Sequence, residues 1–405
     1  MNKIFSNKKV VNAIYIGVLC SLSYLAVYFA RNILGTVTPQ MINAGHSETS
    51  IGTISSAYFI FYAVGQLING AIGDKIKARY MISFGLLMAG VTNLLFPKIL
   101  GLNQTTALIV YGMTGFFLSM IYGPMTKVVS ENTEPIYATR CSLGYAFASF
   151  FGSPLAGLAA AAFAWQSVFT ISSLALFIMA AIFFIICLLL EKKGIVKYNQ
   201  YSPKKDQKGG SIKVLLKHRI VKFTFISIIT GVIRTTVIFW LPTYISQYLN
   251  FSAEKSATIF TAATFVISFT TFIVVFIYEK LKRNMDLTIL IMFSSATIMF
   301  ALVYFIKQPA LNIIFLVLAI MSSNGAATML WSRYCPSLYE TGMVSTATGF
   351  LDFVSYIAAA VSSTIFANAV STIGWGNLIL VWFALMVFGV IIALPKKNIN
   401  KSISL

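Results

Sequence analysis

Apolar residues arrive in blocks of about twenty or more, separated by short polar connectors. Blocks that long suit helices crossing a bilayer, because roughly 20 residues at about 1.5 Å rise span its hydrocarbon core. Dividing the chain at its connectors predicts twelve spans. Six lie at 10–42, 51–73, 78–97, 104–127, 138–162 and 166–190, and six at 218–249, 254–279, 284–306, 309–332, 343–369 and 373–394. The expected fold is an all-α membrane protein of 12 transmembrane helices in two six-helix bundles. The first bundle covers residues 1–190, a cytoplasmic basic linker 191–217, and the second bundle 218–405. An aromatic turn opens the last span of each half, "AWQSVF" at 164–169 and "GWGNLIL" at 374–380.

Composition sharpens this picture. Of 405 residues, 58% are hydrophobic and 10% charged, against about a quarter charged in soluble domains. A soluble enzyme is thereby excluded. A net charge of +19 would suit nucleic acid, but the charges crowd into the connectors, where they set topology instead. With the N-terminus inside, 25 of the 30 lysines and arginines fall on that side, and only Lys98, Lys255 and Lys307 fall outside. Both termini and the linker are therefore expected in the cytoplasm, in a multi-pass protein of a bacterial plasma membrane. Lys3, Lys8 and Lys9 precede an apolar run with no small-residue cleavage site, so that run reads as a retained first helix. The linker's "SPKKDQKGGS" is polar and flexible, suited to joining bundles that move against each other.

Two apolar blocks carry a permanent cation. "YLAVYFARNIL" at 24–34 holds Arg31, and "IRTTVIFWLPTYI" at 233–245 holds Arg234. An arginine at mid-bilayer costs about 2.5–3.5 kcal/mol on insertion scales, and it cannot escape by losing its proton. Two of them in one cavity also repel. An anion with several oxygens resolves both problems, because guanidinium forks match phosphate or carboxylate with paired hydrogen bonds. Tyr24, Tyr28 and Arg31 are spaced i, i+4, i+7 and share one helical face. Among eleven acidic residues, Asp352 in "STATGFLDFVSYIAA" is the one clearly inside a span. It is a candidate for proton uptake, for pairing with an arginine, or for a passive place in a watery cavity.

Other chemistry has little support. Cys20, Cys141, Cys187 and Cys335 have no paired spacing, so neither disulfides nor a metal site is expected. No glycine-rich nucleotide loop, histidine–carboxylate pattern or activated nucleophile is present, so no cofactor and no enzymatic activity are expected.

"GQLINGAIGDKIKARY" at 65–80 resembles the signature loop between the second and third spans of the major facilitator superfamily. Its Gly65, Gly70 and Gly73 permit close helix approach. The resemblance implies that Asp74, Lys75 and Arg79 form a charge cluster tuning the inward/outward equilibrium. Within that superfamily the chain resembles the organophosphate:phosphate antiporter family over most of its length. The stretch with Tyr24, Tyr28 and Arg31 is similar to that family's first span. "RTTVIFWLPTYI" is similar to its seventh, "GFFLSMIYGPMTK" (115–127) to its fourth, and "STATGFLDFVSYIAA" to its eleventh, with Tyr356 at a family tyrosine. The resemblance implies a phosphate clamp of Arg31 and Arg234. The family's second-span lysine position is Gln66 here, and the fifth span's "AFASFFGSP" lacks the family's histidine.

Three functions follow. The first is alternating-access transport of a small phosphorylated organic anion in exchange for inorganic phosphate. The second is proton- or sodium-coupled symport of an organic carboxylate such as a sugar acid. The third is a sugar-phosphate sensor that signals without transporting. One chain completes both bundles, so a monomer in the lipid bilayer is expected.

Overall fold

The computed structural model describes residues 8–73, 76–198, 212–338 and 344–394. The first half contains α1 (Lys8–Asn43), α2 (Glu48–Gly73), α3 (Ala78–Leu100), α4 (Gln104–Leu118), α5 (Tyr122–Asn132), α6 (Pro135–Ala162) and α7 (Trp165–Lys192). The second contains the short α8 (Ile212–Lys217), then α9 (Ile220–Gly231), α10 (Ile238–Gln247), α11 (Ala253–Ser268), α12 (Thr270–Lys280), α13 (Met285–Phe305), α14 (Pro309–Met329), α15 (Cys335–Ser337) and α16 (Val344–Ala393). Helix starts follow local chemistry. Asn103, Ser252 and Asn284 each accept a backbone N–H three residues on, capping α4, α11 and α13.

Among the described residues, ten helical stretches are long and apolar enough to cross a membrane. One of them, Ala347–Ala393, is 47 residues long and contains two crossings, turned at Gly374 with φ 75°. Gly374 takes a left-handed conformation open to glycine. α6 adds a further 28-residue, largely apolar helix. The helices thus fit the predicted architecture, although not as twelve separate rods. Of the predicted linker, residues 191–198 and the short helix α8 (Ile212–Lys217) lie among the described residues. α7 runs on to Lys192, and Val196 beyond it is buried against the first core.

Several spans are broken, each at a residue that disturbs the backbone ladder. Pro124 has no N–H for the Met120 carbonyl, and Ser119 Oγ bonds the Phe116 carbonyl at 2.6 Å. There the fourth span parts into α4 and α5. The seventh span is α-helical on either side of a π-helical stretch, Val232–Val237, shortly before Pro242.

Two apolar cores result. The first gathers α1–α7 around Phe96, Tyr111 and Phe169, and the second packs the remaining helices around Trp240, Phe293 and Trp382. Polar side chains tie helices within each core: Asn93 donates to Ser172 at 2.6 Å, and Tyr244 donates to Asn312 at 2.5 Å.

The halves meet closely at the end away from the N-terminus. Gly35 lies against Phe239, Gly52 against Ala367 and Ser363, and Gly157 against Thr261. None of these three positions has room for a Cβ without displacing its neighbour. Ser56 bonds the Ala360 carbonyl and Thr364, and Gln247 donates to Glu48 at 2.7 Å.

Candidate functional site

At the level where these contacts thin out, α1 delivers Arg31 into the space between the halves. Its guanidinium carbon lies 5.2 Å from the Tyr28 ring centroid, 5.1 Å from Tyr62 and 4.9 Å from Tyr356. Arg31 Nη1 donates to the Tyr356 hydroxyl at 2.8 Å. A cation on the first half is thereby bonded to the eleventh-span segment of the second. Three ring faces offset part of the cost of removing it from water, at about 0.5–2 kcal/mol each. Arg31 faces this inter-half space rather than the lipid.

Arg234 arrives on the π-helical stretch, which shifts the register of the side chains that follow. Its guanidinium carbon is 6.0 Å from the Trp331 ring centroid. Among the described residues it donates no hydrogen bond, so its five N–H groups are available. The carboxyl of Asp352, one turn from Tyr356, feels the field of Arg234 and, less strongly, of Arg31. Tyr356 likewise interacts electrostatically with Arg31, Asp352 and Arg234. Asp352 forms no salt bridge among the described residues, so the three charges act on one another without closing into an ion pair.

Below Arg31 the first half presents a tyrosine wall. The Tyr24 ring stands 4.9 Å from Tyr28, 5.6 Å from Tyr122 and 6.0 Å from Tyr145. The arrangement sets two cations, one immobilised and one with unfilled donors, beside phenols and a carboxylate, and this is chemistry that suits an anion.

The family model described as Major Facilitator Superfamily matches residues 20–363. The chain belongs to that superfamily. Its members are membrane transporters rather than enzymes, and this chain is a membrane transporter of that fold. It is 22% identical over 384 residues to the glycerol-3-phosphate transporter of Bacillus subtilis (strain 168), covering 88% of this chain and 84% of the relative. A shorter match, 27% identical over 113 residues, links it to a probable hexose phosphate transport protein of Chlamydia trachomatis serovar D, covering 27% of this chain and 24% of that one. Among solved structures, the D-xylose-proton symporter superposes with a TM-score of 0.69 at 13% identity, covering 94% of this chain and 97% of that chain. At that identity the likeness concerns the fold.

The stretch that resembles the superfamily's signature loop lies elsewhere. Gly65 packs against Phe116 and Ser119 of the α4 end, where a Cβ has no space. Gly70 lies within α2, and Asp74 and Lys75 fall outside the described residues. Arg79 is 7% exposed and pairs with Glu191 at 2.6 Å while donating to the Tyr80 hydroxyl at 2.7 Å. Its carboxylate partner therefore comes from the end of α7. Tyr198 donates to the same carboxylate at 2.7 Å, and burial, then that bond, pushes its phenol well above the ordinary range. Gln66 is half-buried one turn from Tyr62, and among the described residues no hydrogen bond joins it to Arg31 or Arg234.

Sequence reasoning missed Tyr58, Tyr62, Tyr122 and Trp331. "SSAYFIFYAVGQ" holds Tyr58, Tyr62 and Gln66 at i, i+4, i+8, the same signal that marked Tyr24 and Tyr28. Tyr58 is buried and interacts electrostatically with Arg31, and its hydroxyl has no partner among the described residues.

Proposed function

We propose that this transporter carries a small phosphorylated organic anion in exchange for inorganic phosphate, by alternating access. The observation that carries the reading is the pair of intramembrane guanidiniums, Arg31 held by Tyr356 and Arg234 with its donors unfilled, acting on one carboxylate between them. A phosphoryl group occupying that space accepts paired hydrogen bonds from both. Its charge relieves their mutual repulsion and draws the halves together around it. An empty site holds two cations against one carboxylate and reorients slowly, so transport runs as exchange. The likeness to glycerol-3-phosphate and hexose phosphate transporters supports the same substrate class.

The test is uptake of labelled phosphate into proteoliposomes loaded with phosphate. Uptake many times faster than into unloaded vesicles is expected, and equal rates overturn the proposal. The position of Asp352 supports a second reading, proton-coupled symport of a carboxylate. Uptake of a sugar acid driven by a proton gradient with no internal phosphate, lost in Asp352→Asn, would establish it instead.

A further inference from the structure

The helix that carries Tyr356 is tied to the first half beyond the arginine site. Along α16, Tyr356, Ala360, Thr364 and Asn368 follow at four-residue steps, and each meets the first half through a hydrogen bond. Tyr356 accepts from Arg31 at 2.8 Å. Ser56 of α2 donates to the Ala360 carbonyl and lies 2.7 Å from the Thr364 hydroxyl. Thr49, seven residues earlier on α2, donates to Asn368 at 3.3 Å. Between them Gly52 lies against Ala367 and Ser363. Ser56 is buried and makes two bonds of this seam.

α16 is bound as firmly to its own half. Thr236 donates to the Ala359 carbonyl at 3.1 Å and lies 2.9 Å from the Ser362 hydroxyl, and Ser227 donates to the Leu351 carbonyl at 2.8 Å. The helix therefore belongs to the second half, and parting the halves at this end breaks the seam with α2.

α2 also braces the site. Its Phe59 and Tyr62 rings lie 6.5 Å and 4.8 Å from the Tyr356 ring, so fastening α2 to Ala360, one turn beyond, keeps that phenol beside Arg31. Arg31 makes the innermost bond of the seam. An anion that takes up its donors competes with the Tyr356 hydroxyl for them, so occupancy and closure draw on one guanidinium.

We infer that Ser56 is a positioning residue for transport: it fastens α2 to α16, sets Tyr356 against Arg31 and keeps the halves closed at the end away from the N-terminus. The seam itself needs no ligand, and only its response to an anion rests on the proposed clamp. The experiment labels Ser363→Cys in purified protein with a bulky polar maleimide. Ser363 is buried at the seam, its hydroxyl has no partner among the described residues, and the four native cysteines are buried. Ser56→Ala and Tyr356→Phe are each expected to speed labelling about tenfold, the worth of the bonds they remove. Thr236→Val, which loosens α16 only from its own half, is expected to leave labelling unchanged. Inorganic phosphate is expected to raise labelling about threefold when Ser363→Cys is the sole substitution, and not in Tyr356→Phe. Unchanged labelling in Ser56→Ala overturns the inference, and so does an equal rise in Thr236→Val. Intact phosphate exchange with no effect of phosphate on labelling overturns the link between occupancy and closure. Absence of phosphate exchange overturns the clamp alone, because the ligand-free variants still decide the seam.

Discussion

Arg31 and Arg234 occupy corresponding places, one in the first span of each half, but their surroundings differ. Arg31 is enclosed by three tyrosine rings and bonded across the inter-half space to Tyr356. Arg234 stands on a π-helical stretch with one indole face at 6.0 Å. The difference suggests a division of labour between like charges. In the proposed mechanism the first is fixed in advance and also links the halves, while the second keeps its donors free for the anion. A rigid partner lowers the ordering cost of binding, and a free one supplies the contact that changes when the ligand arrives.

The largest expected effect breaks both arms. Arg31→Lys and Arg234→Lys each retain charge but lose the bidentate fork. At about 1.5–3 kcal/mol per hydrogen bond to a charged group, phosphate exchange should fall at least about 100-fold in kcat/KM. Vesicle exchange assays measure this directly. Tyr356→Phe keeps the ring under Arg31 and removes the 2.8 Å bond. A loss of about tenfold is expected, since Arg31 is then positioned only by ring faces. Asp352→Asn should act in the opposite direction on binding. Removing the carboxylate that competes with a bound anion tightens phosphate affinity by about threefold to tenfold at neutral pH, read by calorimetry. The smallest effect is expected for Trp331→Ala, about threefold in KM, because Arg234 depends little on its surroundings. Equal losses in Tyr356→Phe and Trp331→Ala would erase the contrast between the two arms.

Much of the architecture was legible in the apolar blocks, because bilayer thickness imposes a length that few other constraints imitate. Boundaries were less so. The turn before the last crossing falls at Gly374 inside "STIGWGN", where no charged connector marks it, and not at 370–372. Arg31, Tyr24 and Tyr28 were readable together because they lie on one helix at helical spacing. Tyr356 entered through family resemblance, since its bond to Arg31 joins residues 325 apart. The Arg79–Glu191 pair spans 112 residues and gave no local sign. Tyr122 was hidden by a different cause: its position depends on a broken helix, and an unbroken fourth span gives no reason to place it against Tyr24.

Everything proposed about transport depends on one small anion touching both guanidiniums at once. A double-mutant cycle on phosphate affinity, with Arg31→Lys, Arg234→Lys and their combination in purified protein, measures that contact. A shared ligand predicts strong non-additivity, with the double variant binding little more weakly than either single one. Losses that simply add, or a full loss from one arginine and none from the other, would contradict it.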